Sequence, residues 1–262
     1  MAVGSRAMAH VRRFGHANAR RAYSTAAPRA IAHVDGNPVL IHNLAKYYYN
    51  AQAPSEVESS KGDGSFGDLT GFRVWESAEH LITHLDNHRA LVQDRTVIEL
   101  GAGTGAVGLV AAALAAKHVV LSDAESEVTL DGEERSRLAM LADNIHLNGE
   151  NAAAMSVEPL RWGDQSHLRA ISTRWPTGFE TIVASDCLYS PRSYDALEAT
   201  ILGLAAADCH VVLSYPVRNG EEEAFVERMA PALEVVSSQQ TPGQFVASKA
   251  LCIVELRRRG VR

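Results

Sequence analysis

The stretch VIELGAGTGAVGLVAA, residues 97–112, decides the fold. An apolar run ends on an acid and opens into Gly101, Gly103 and Gly105, and small apolar residues follow. Glycine lacks a Cβ, so such a loop permits positive φ angles and a close approach of backbone to a ligand. A strand that turns through glycines into a helix is typical of the first crossover in a ligand-binding α/β sheet. The stretch therefore predicts a ligand site at the carboxyl end of a strand over 96–100.

The rest of the chain continues this alternation of strands and helices. Seven segments have strand character: 96–100, 118–123, 154–160, 181–186, 209–215, 233–238 and 250–256. Helical patterns cover 77–85, with Ser77 as the cap, and 105–117, 133–148, 193–206 and 220–230. Alternating strands and helices predict right-handed crossovers and helices on both faces of the sheet. We expect an α/β fold, namely a Rossmann-like, seven-stranded, mostly parallel twisted sheet.

The charge is divided unevenly along the chain. The net charge is −6, yet the residues before Asp35 carry six arginines and no acid, so the remainder has a net charge of −12. An arginine-rich segment without acids is typical of a transit peptide, and RRAYSTAA (20–27) resembles a mitochondrial processing site. We predict a basic leader over 1–34 with mitochondrial localisation, a cytoplasmic protein with a basic tail being the alternative. A preface and polar linker over 35–70 and the main domain over 71–262 complete the predicted organisation.

Several classes of function are disfavoured by composition. No window approaches the roughly 20 apolar residues that a transmembrane helix requires, so membrane insertion is not expected. The acidic main domain has no continuous basic surface for nucleic acid. No two of the three cysteines form a C-x-x-C pair, so neither a zinc site nor a redox site of that type is expected. His80, His84 and His88 repeat every four residues, but the apolar face of their helix lies elsewhere, so we predict an exposed row and no metal site.

The acid before the glycines helps to choose the ligand. The loop also fits the G-x-G-x-x-A pattern of dinucleotide-binding enzymes, and Asp123 has the position of an acid that holds a ribose in either class. Glu99, however, would be costly in a buried strand without a cationic partner. NAD offers this loop only a pyrophosphate. The alternative is that Glu99 caps the following helix.

ELGAGTG resembles the first motif of class I S-adenosylmethionine-dependent methyltransferases, whose cofactor carries an ammonium and a sulfonium. FRVWESAEHL (72–81), LRWGD (160–164) and ASDCLY (184–189) together resemble the protein methyltransferases of family 16. The resemblance covers about 70–256. It implies an S-adenosylmethionine-dependent enzyme that methylates a protein, most often on lysine and in some members on histidine or arginine. The segment after Asp123 is longer and more acidic than is usual in the family.

The resemblance also implies a set of site residues. Asp186 and Tyr189 form its D-x-x-Y signature and would act on the acceptor, while the cofactor would contact Trp75, Glu99, Gly101, Ala102, Gly103, Asp123, Trp162 and Ser185. Each has a structural alternative. Either tryptophan can be a core residue, Asp186 can cap a later helix, and Tyr189 can be a half-buried wall residue. Cys187, inside the signature, is interpreted as core.

The predicted reaction is direct displacement at the sulfonium methyl by a neutral amine. Because free lysine has a pKa near 10.4, the acceptor must first lose a proton. Our hypothesis is that Asp186 binds and orients the acceptor nitrogen and that Tyr189 shapes the channel. The expected partner is a protein substrate, and the expected state is a monomer. The alternatives are an arginine or histidine methyltransferase, a small-molecule methyltransferase, an NAD-dependent enzyme and a non-catalytic binding protein.

Overall fold

The computed structural model describes residues 28–42, 67–130, 133–149, 154–218, 220–242 and 250–258. The predicted leader therefore lies outside the described residues up to position 27, as does most of the predicted linker. Within the described ranges, no helix combines the length and apolar character needed to cross a bilayer.

A seven-stranded sheet forms the centre of the molecule. Its strands are β3 (Thr96–Leu100), β4 (His118–Asp123), β7 (Met155–Pro159), β8 (Phe179–Ser185), β9 (Ala205–Val217), β10 (Leu233–Pro242) and β11 (Ala250–Arg258). Their order is β10-β11-β9-β8-β3-β4-β7. The four pairings between β9 and β7 are parallel, whereas β11 pairs antiparallel with β9 and with β10. All seven predicted strands lie in this sheet, and the predicted mostly parallel fold is confirmed.

In the described part of the chain, six α-helices cover the sheet. They are α1 (Glu76–Asn87), α2 (Ala106–Ala113), α3 (Arg137–Leu147), α4 (Gln165–Arg174), α5 (Tyr194–Leu204) and α6 (Glu221–Met229). One apolar cluster joins α1, α2 and α3 to one face, and a second joins α4, α5 and α6 to the other. In β3 the side chains alternate, so Val97 enters the first cluster and Ile98 the second. The parallel strands are thus buried on both faces, as crossover connections require.

An N-terminal hairpin packs on the first layer. It consists of β1 (Arg29–Val34) and β2 (Asn37–Ile41), and Val34, Val39 and Ile41 are buried. Asn148 binds the outer edge of the hairpin, because its side chain accepts a hydrogen bond from Leu40 N (2.9 Å) and donates one to Leu40 O (2.8 Å). The first strand begins at Arg29, inside the stretch assigned to the leader. Residues 29–34 are therefore part of the folded domain.

Asn144 connects the same hairpin to the glycine loop. This fully buried side chain accepts a hydrogen bond from His42 N at 2.7 Å and donates one to Thr104 O at 2.9 Å. A buried amide that bonds two backbone segments satisfies groups that would otherwise be unpaired. The hairpin therefore supports the loop that the sequence assigns to the ligand.

The helices differ from the sequence predictions in three places. The predicted helix over 133–148 begins only at Arg137, because Glu133–Ser136 forms β6, which pairs with β5 (Glu127–Leu130), and Ser136 caps the helix. The long acidic segment after Asp123 is thus partly a β-hairpin. Helix α4 was not predicted, although Asp164 caps it in the usual way. Ser77 is not a cap, because α1 begins at Glu76 and Ser77 lies buried inside it.

The predicted exposed histidine row is wrong for its central member. His84 is buried, and its Nε2 lies 2.8 Å from Glu255 Oε1 on β11. Burial lowers the pKa of His84, and the hydrogen bond to Glu255 opposes this shift. In the described part of the chain, no three His, Cys, Asp or Glu side chains gather in a way that could hold a metal ion.

Candidate functional site

The glycine loop lies between β3 and α2, at the carboxyl edge of the sheet. Gly101, Gly103 and Gly105 all have positive φ, at +61°, +55° and +77°. A Cβ on Gly101 would lie 2.9 Å from Cys187 Sγ and 3.1 Å from the ring of Trp162. Ala102 N, buried in the same turn, donates to Ser122 O at 2.9 Å. The loop is therefore held against β4 and needs glycine at a position with no room for a side chain.

Glu99 is fully buried behind this loop. Its Oε2 accepts a hydrogen bond from Gly108 N at 2.8 Å, in the first turn of α2. Burial raises the pKa of Glu99 to about 8, while the hydrogen bonds from Gly108 N and Val107 N oppose that shift. This contact is the helix cap that the sequence left open as the alternative. Glu99 therefore anchors α2, and its predicted contact with the cofactor stays a prediction.

Asp123 ends β4 and joins three segments. Its Oδ2 accepts a hydrogen bond from Gly103 N at 2.7 Å, and its Oδ1 accepts from Ala124 N and from Arg137 Nη1, each at 2.7 Å. A carboxylate has about four acceptor positions, so capacity for a hydroxyl donor remains. Arg137, the first residue of α3, was not anticipated from the sequence. Asp123 is fixed beside the glycine loop, as its predicted role requires.

The aromatic residues assigned to the adenosine pocket are both half-buried. Trp75 precedes α1, where its Nε1 donates to Thr70 O at 3.0 Å and the Arg73 guanidinium lies 4.7 Å from its ring centroid. Trp162 follows β7 and reaches Gly101, as shown by the close approach described above. Neither ring is a simple core residue, and Trp162 is the one that the structure brings directly to the loop.

The D-x-x-Y signature follows the carboxyl end of β8. Asp186 has a positive φ of +54°, which is uncommon outside glycine, and its N–H donates to Ser214 O at 2.8 Å. Tyr189 is 63% exposed, and its ring centroid lies 6.4 Å from that of Trp162. The structure therefore brings Tyr189 to the rim beside Trp162. Ser185, the last residue of β8, pairs with Ser214 across the parallel ladder.

Asp186 does not cap the next helix, because α5 is preceded by Ser193 and a 3-10 turn over Pro191–Ser193. Its Oδ1 instead accepts a hydrogen bond from Arg218 Nη2 at 2.7 Å. Arg218 was not predicted from the sequence. The position of this arginine directly after a strand predicted to end at the same edge was the signal that could have found it.

Cys187 lies under the signature. It is fully buried, and its Sγ donates to Leu100 O at 3.3 Å. Burial raises the pKa of this thiol well above its usual range. A thiol that stays protonated is a poor nucleophile, in agreement with its interpretation as a core residue.

These residues fit S-adenosylmethionine in their chemistry. The loop offers backbone where a Cβ would not fit, the carboxylate of Asp123 offers acceptors to hydroxyl groups, and Trp162 offers an apolar ring at the same loop. Tyr189 stands exposed beside Trp162, and Asp186 lies three residues before it, directly after β8. The arrangement can hold a nucleoside against the loop and orient a polar acceptor at its edge.

Comparison with known proteins identifies similar sequences. Residues 61–232 match a family model described as lysine methyltransferase. Protein N-lysine methyltransferase METTL21A of Danio rerio is 32% identical over 165 residues, which cover 62% of this chain and 68% of that protein. Protein-lysine N-methyltransferase EFM3 of Chaetomium thermophilum is also 32% identical, over 52% of this chain and 39% of its own length. EEF1A lysine methyltransferase 3 of Mus musculus is 27% identical over 64% of this chain and 66% of that protein.

Solved structures share the fold at low sequence identity. The N-methyltransferase NodS from Bradyrhizobium japonicum has a TM-score of 0.50 and 14% identity, covering 69% of this chain and 95% of its own. A protein assigned as a methyltransferase and complexed with SAH has a TM-score of 0.51 and 13% identity, covering 70% of this chain and 50% of its own. These likenesses establish the Rossmann-like fold.

Proposed function

The chain belongs to the lysine methyltransferase family, and from this premise we propose that it methylates the side-chain nitrogen of a lysine in a specific protein substrate. It is an S-adenosylmethionine-dependent methyltransferase. The acceptor protein and the site of modification are the parts that require experiment.

The cofactor supplies a methyl group on a sulfonium, an electrophile that can be attacked directly. The cofactor would be held by the backbone of Gly101, Ala102 and Gly103. Its ribose would bind Asp123, and its adenosine would lie against Trp75 and Trp162. Glu99 would act from behind the loop, because its observed hydrogen bond fixes the start of α2. Ser185 would present backbone at the end of β8.

The acceptor side rests on Asp186 and Tyr189. A lysine nitrogen must be neutral to attack, and desolvation and alignment are what a protein contributes to such a displacement. Asp186 accepts a hydrogen bond from the nitrogen and orients it, while Tyr189 forms one wall of the channel. Asp186 acts as an orienting group, because a carboxylate beside an ammonium raises the pKa of that ammonium and retains its proton.

The observation that carries this proposal is the placement of the signature at the glycine loop. Cys187, between Asp186 and Tyr189 in sequence, packs where a Cβ of Gly101 would lie. The acceptor carboxylate and the cofactor loop are thereby joined through one buried contact. An arginine, histidine or small-molecule acceptor is the alternative, and it would use the same cofactor loop.

We also propose that the protein acts as a monomer on a protein and does not bind nucleic acid. The net charge of −12 after residue 34 supports attraction of a cationic protein segment. Gel filtration with light scattering measures the mass directly, and a mass of two chains would contradict the monomer.

The first test is labelling. The full chain and Asp186→Asn are incubated with methyl-labelled S-adenosylmethionine and with cytosolic and organellar protein extracts, and labelled bands are hydrolysed to amino acids. We expect a discrete band that contains methyl-lysine with the wild type, and at least about tenfold less label with the variant, since one orienting group contributes on the order of 1–3 kcal/mol. S-adenosylhomocysteine binding serves as the folding control. Full turnover by Asp186→Asn would refute the role assigned to Asp186. Methyl-arginine or methyl-histidine in the hydrolysed band would show that the acceptor residue is arginine or histidine and not lysine.

Localisation is a separate proposal. We propose that the arginine-rich segment before Asp35 directs the protein to mitochondria. A fusion of the full chain to a fluorescent protein should co-localise with mitochondria, and replacement of Arg12, Arg13, Arg20 and Arg21 by serine should release it to the cytosol. Cytosolic fluorescence of the unmodified fusion would contradict mitochondrial localisation.

A further inference from the structure

Arg218 reaches the acceptor site from outside the signature. It directly follows β9, and β9 runs parallel to β8 with Ser214 opposite Ser185, so both strands end side by side. Its Nη2 donates to Asp186 Oδ1 at 2.7 Å, and its Nη1 donates to Leu188 O at 3.3 Å. One guanidinium therefore holds a side chain and a carbonyl of the same short loop.

The loop needs such support because Asp186 is in the left-handed region. A non-glycine residue at a φ of +54° persists only where its surroundings fix it. The hydrogen bond from Asp186 N to Ser214 O fixes the backbone, and Arg218 fixes the carboxylate. In the described residues, no hydrogen bond is found at Asp186 Oδ2, so that oxygen can accept a hydrogen bond from the amine of a substrate.

Other charged groups lie near Asp186 and Arg218. The nearest is Glu222 on α6, whose Oε1 lies 3.9 Å from Arg218 Nη1, beyond hydrogen-bond length, and whose Oε2 accepts from Gly220 N. Further titratable groups lie in the loop or around it: Cys187 and Tyr189 in the loop, and Glu99, Asp123, Arg137, Tyr194, Glu221 and Glu223 on neighbouring elements. Among these groups, Arg218 is the cation in direct hydrogen bond with Asp186.

The pairing has a consequence for a lysine acceptor. An unpaired carboxylate would stabilise the ammonium form, which cannot attack. We propose that Arg218 is a positioning residue that offsets the charge of Asp186, so that this carboxylate orients the neutral amine without retaining its proton. The inference rests on the proposed function, since it assumes that Asp186 faces the acceptor nitrogen.

A pair of cofactor analogues can measure this charge without a known acceptor. Sinefungin carries a protonated amine on a carbon that replaces the sulfonium, whereas S-adenosylhomocysteine has a neutral sulfur there. The ratio of the two dissociation constants, measured by titration calorimetry on the full chain, reports the local potential at the transfer position. Affinity for S-adenosylhomocysteine also shows whether a variant is folded.

Removal of the arginine charge should favour the cationic analogue. In Arg218→Gln and Arg218→Met, we expect the preference for sinefungin over S-adenosylhomocysteine to rise at least about tenfold, because one unit charge within about 12 Å has at least that effect at an effective dielectric constant of about 20. Arg218→Lys keeps the charge and should retain the wild-type ratio. Arg228→Gln is the matched control, because Arg228 on α6 also pairs with two acids, Asp195 and Glu198, outside the acceptor site.

The role of Arg218 and the proposed function can be refuted separately. An unchanged ratio in both uncharged variants would overturn the role of Arg218. Failure of the wild type to bind either analogue would overturn the proposed function instead. A raised ratio in Arg218→Gln and Arg218→Met, together with wild-type ratios in Arg218→Lys and Arg228→Gln, would support the inference.

Discussion

At the scale of single residues, the buried carboxylate of Glu99 makes stability depend on pH. Its pKa is about 8 in the folded state, against 4.5 as the ordinary value, so folding takes up a proton between these limits. The contribution of Glu99 to stability is therefore fully present below pH 4.5 and is lost as the pH rises through about 8. The helix cap on Gly108 N remains in either protonation state.

We expect Glu99→Gln to remove this dependence. Relative to the variant, the free energy of unfolding of the wild type should fall with rising pH by up to about 1.4 kcal/mol per pH unit. Urea unfolding at half-unit steps from pH 5 to pH 9 measures the difference, with the exposed Glu227→Gln as control. Parallel curves for wild type and Glu99→Gln would contradict the burial argument.

At Gly101 the glycine loop has no room for a side chain. Alanine there would combine a positive φ with a 2.9 Å contact to Cys187 Sγ, shorter than a Cβ tolerates, and a tight 3.1 Å contact to the ring of Trp162. We expect Gly101→Ala to lower the free energy of unfolding by about 1–3 kcal/mol and to weaken S-adenosylhomocysteine binding at least about tenfold. Thermal unfolding and calorimetry measure these effects.

Gly203→Ala is the matched control for this change. Gly203 lies in α5, and an added Cβ would meet nothing within 4 Å. Alanine in a helix is favoured over glycine by about 0.5–1 kcal/mol, so this variant should be as stable as the wild type or more so. Equal effects of the two substitutions would show that Gly101 has no special geometry.

At the scale of elements, the N-terminal hairpin is coupled to the glycine loop by one side chain. Asn144→Ala would leave His42 N and Thr104 O without their buried partner, at a cost of about 2–3 kcal/mol in unfolding free energy. We expect weaker S-adenosylhomocysteine binding as well, because Thr104 belongs to the loop. Asn148→Ala removes the hydrogen bonds to Leu40 and one to Asn144 O within α3, none of which involves the glycine loop, so it should reduce stability without changing affinity. Equal affinities of the two variants would exclude the coupling.

The elements also show where sequence patterns suffice. The seven sheet strands were predictable because each contains a short run rich in apolar and β-branched residues. The start of α3 was not, because the pairing of Glu133–Ser136 with Glu127–Leu130 depends on chain reversal and not on local pattern. The burial of His84 depends on Glu255, which is 171 residues away in sequence.

At the scale of the whole molecule, one edge of the sheet brings together residues from six separate segments. The glycine loop, Asp123, Trp162 and the D-x-x-Y signature were found in sequence because each lies at or just after the end of a predicted strand. Arg137 and Arg218 were not, since an arginine's partner is set by the order of strands in the sheet. The sequence therefore predicts which strand ends carry the site. The arginines that pair with the acids of the site can be identified only from the folded structure.

The link through Asn144 has a further consequence for synthesis of the chain. His42 and Asn144 are 102 residues apart, so a ribosome making 5–20 residues per second needs about 5 to 20 s between them. During that interval Val39 and Ile41 lack the part of their core that α3 supplies, and the outer edge of β2 lacks Asn148. The nascent hairpin is consequently exposed to aggregation and to chaperones until α3 has left the exit tunnel. Slow codons between these positions would lengthen that exposure without changing any residue of the finished protein.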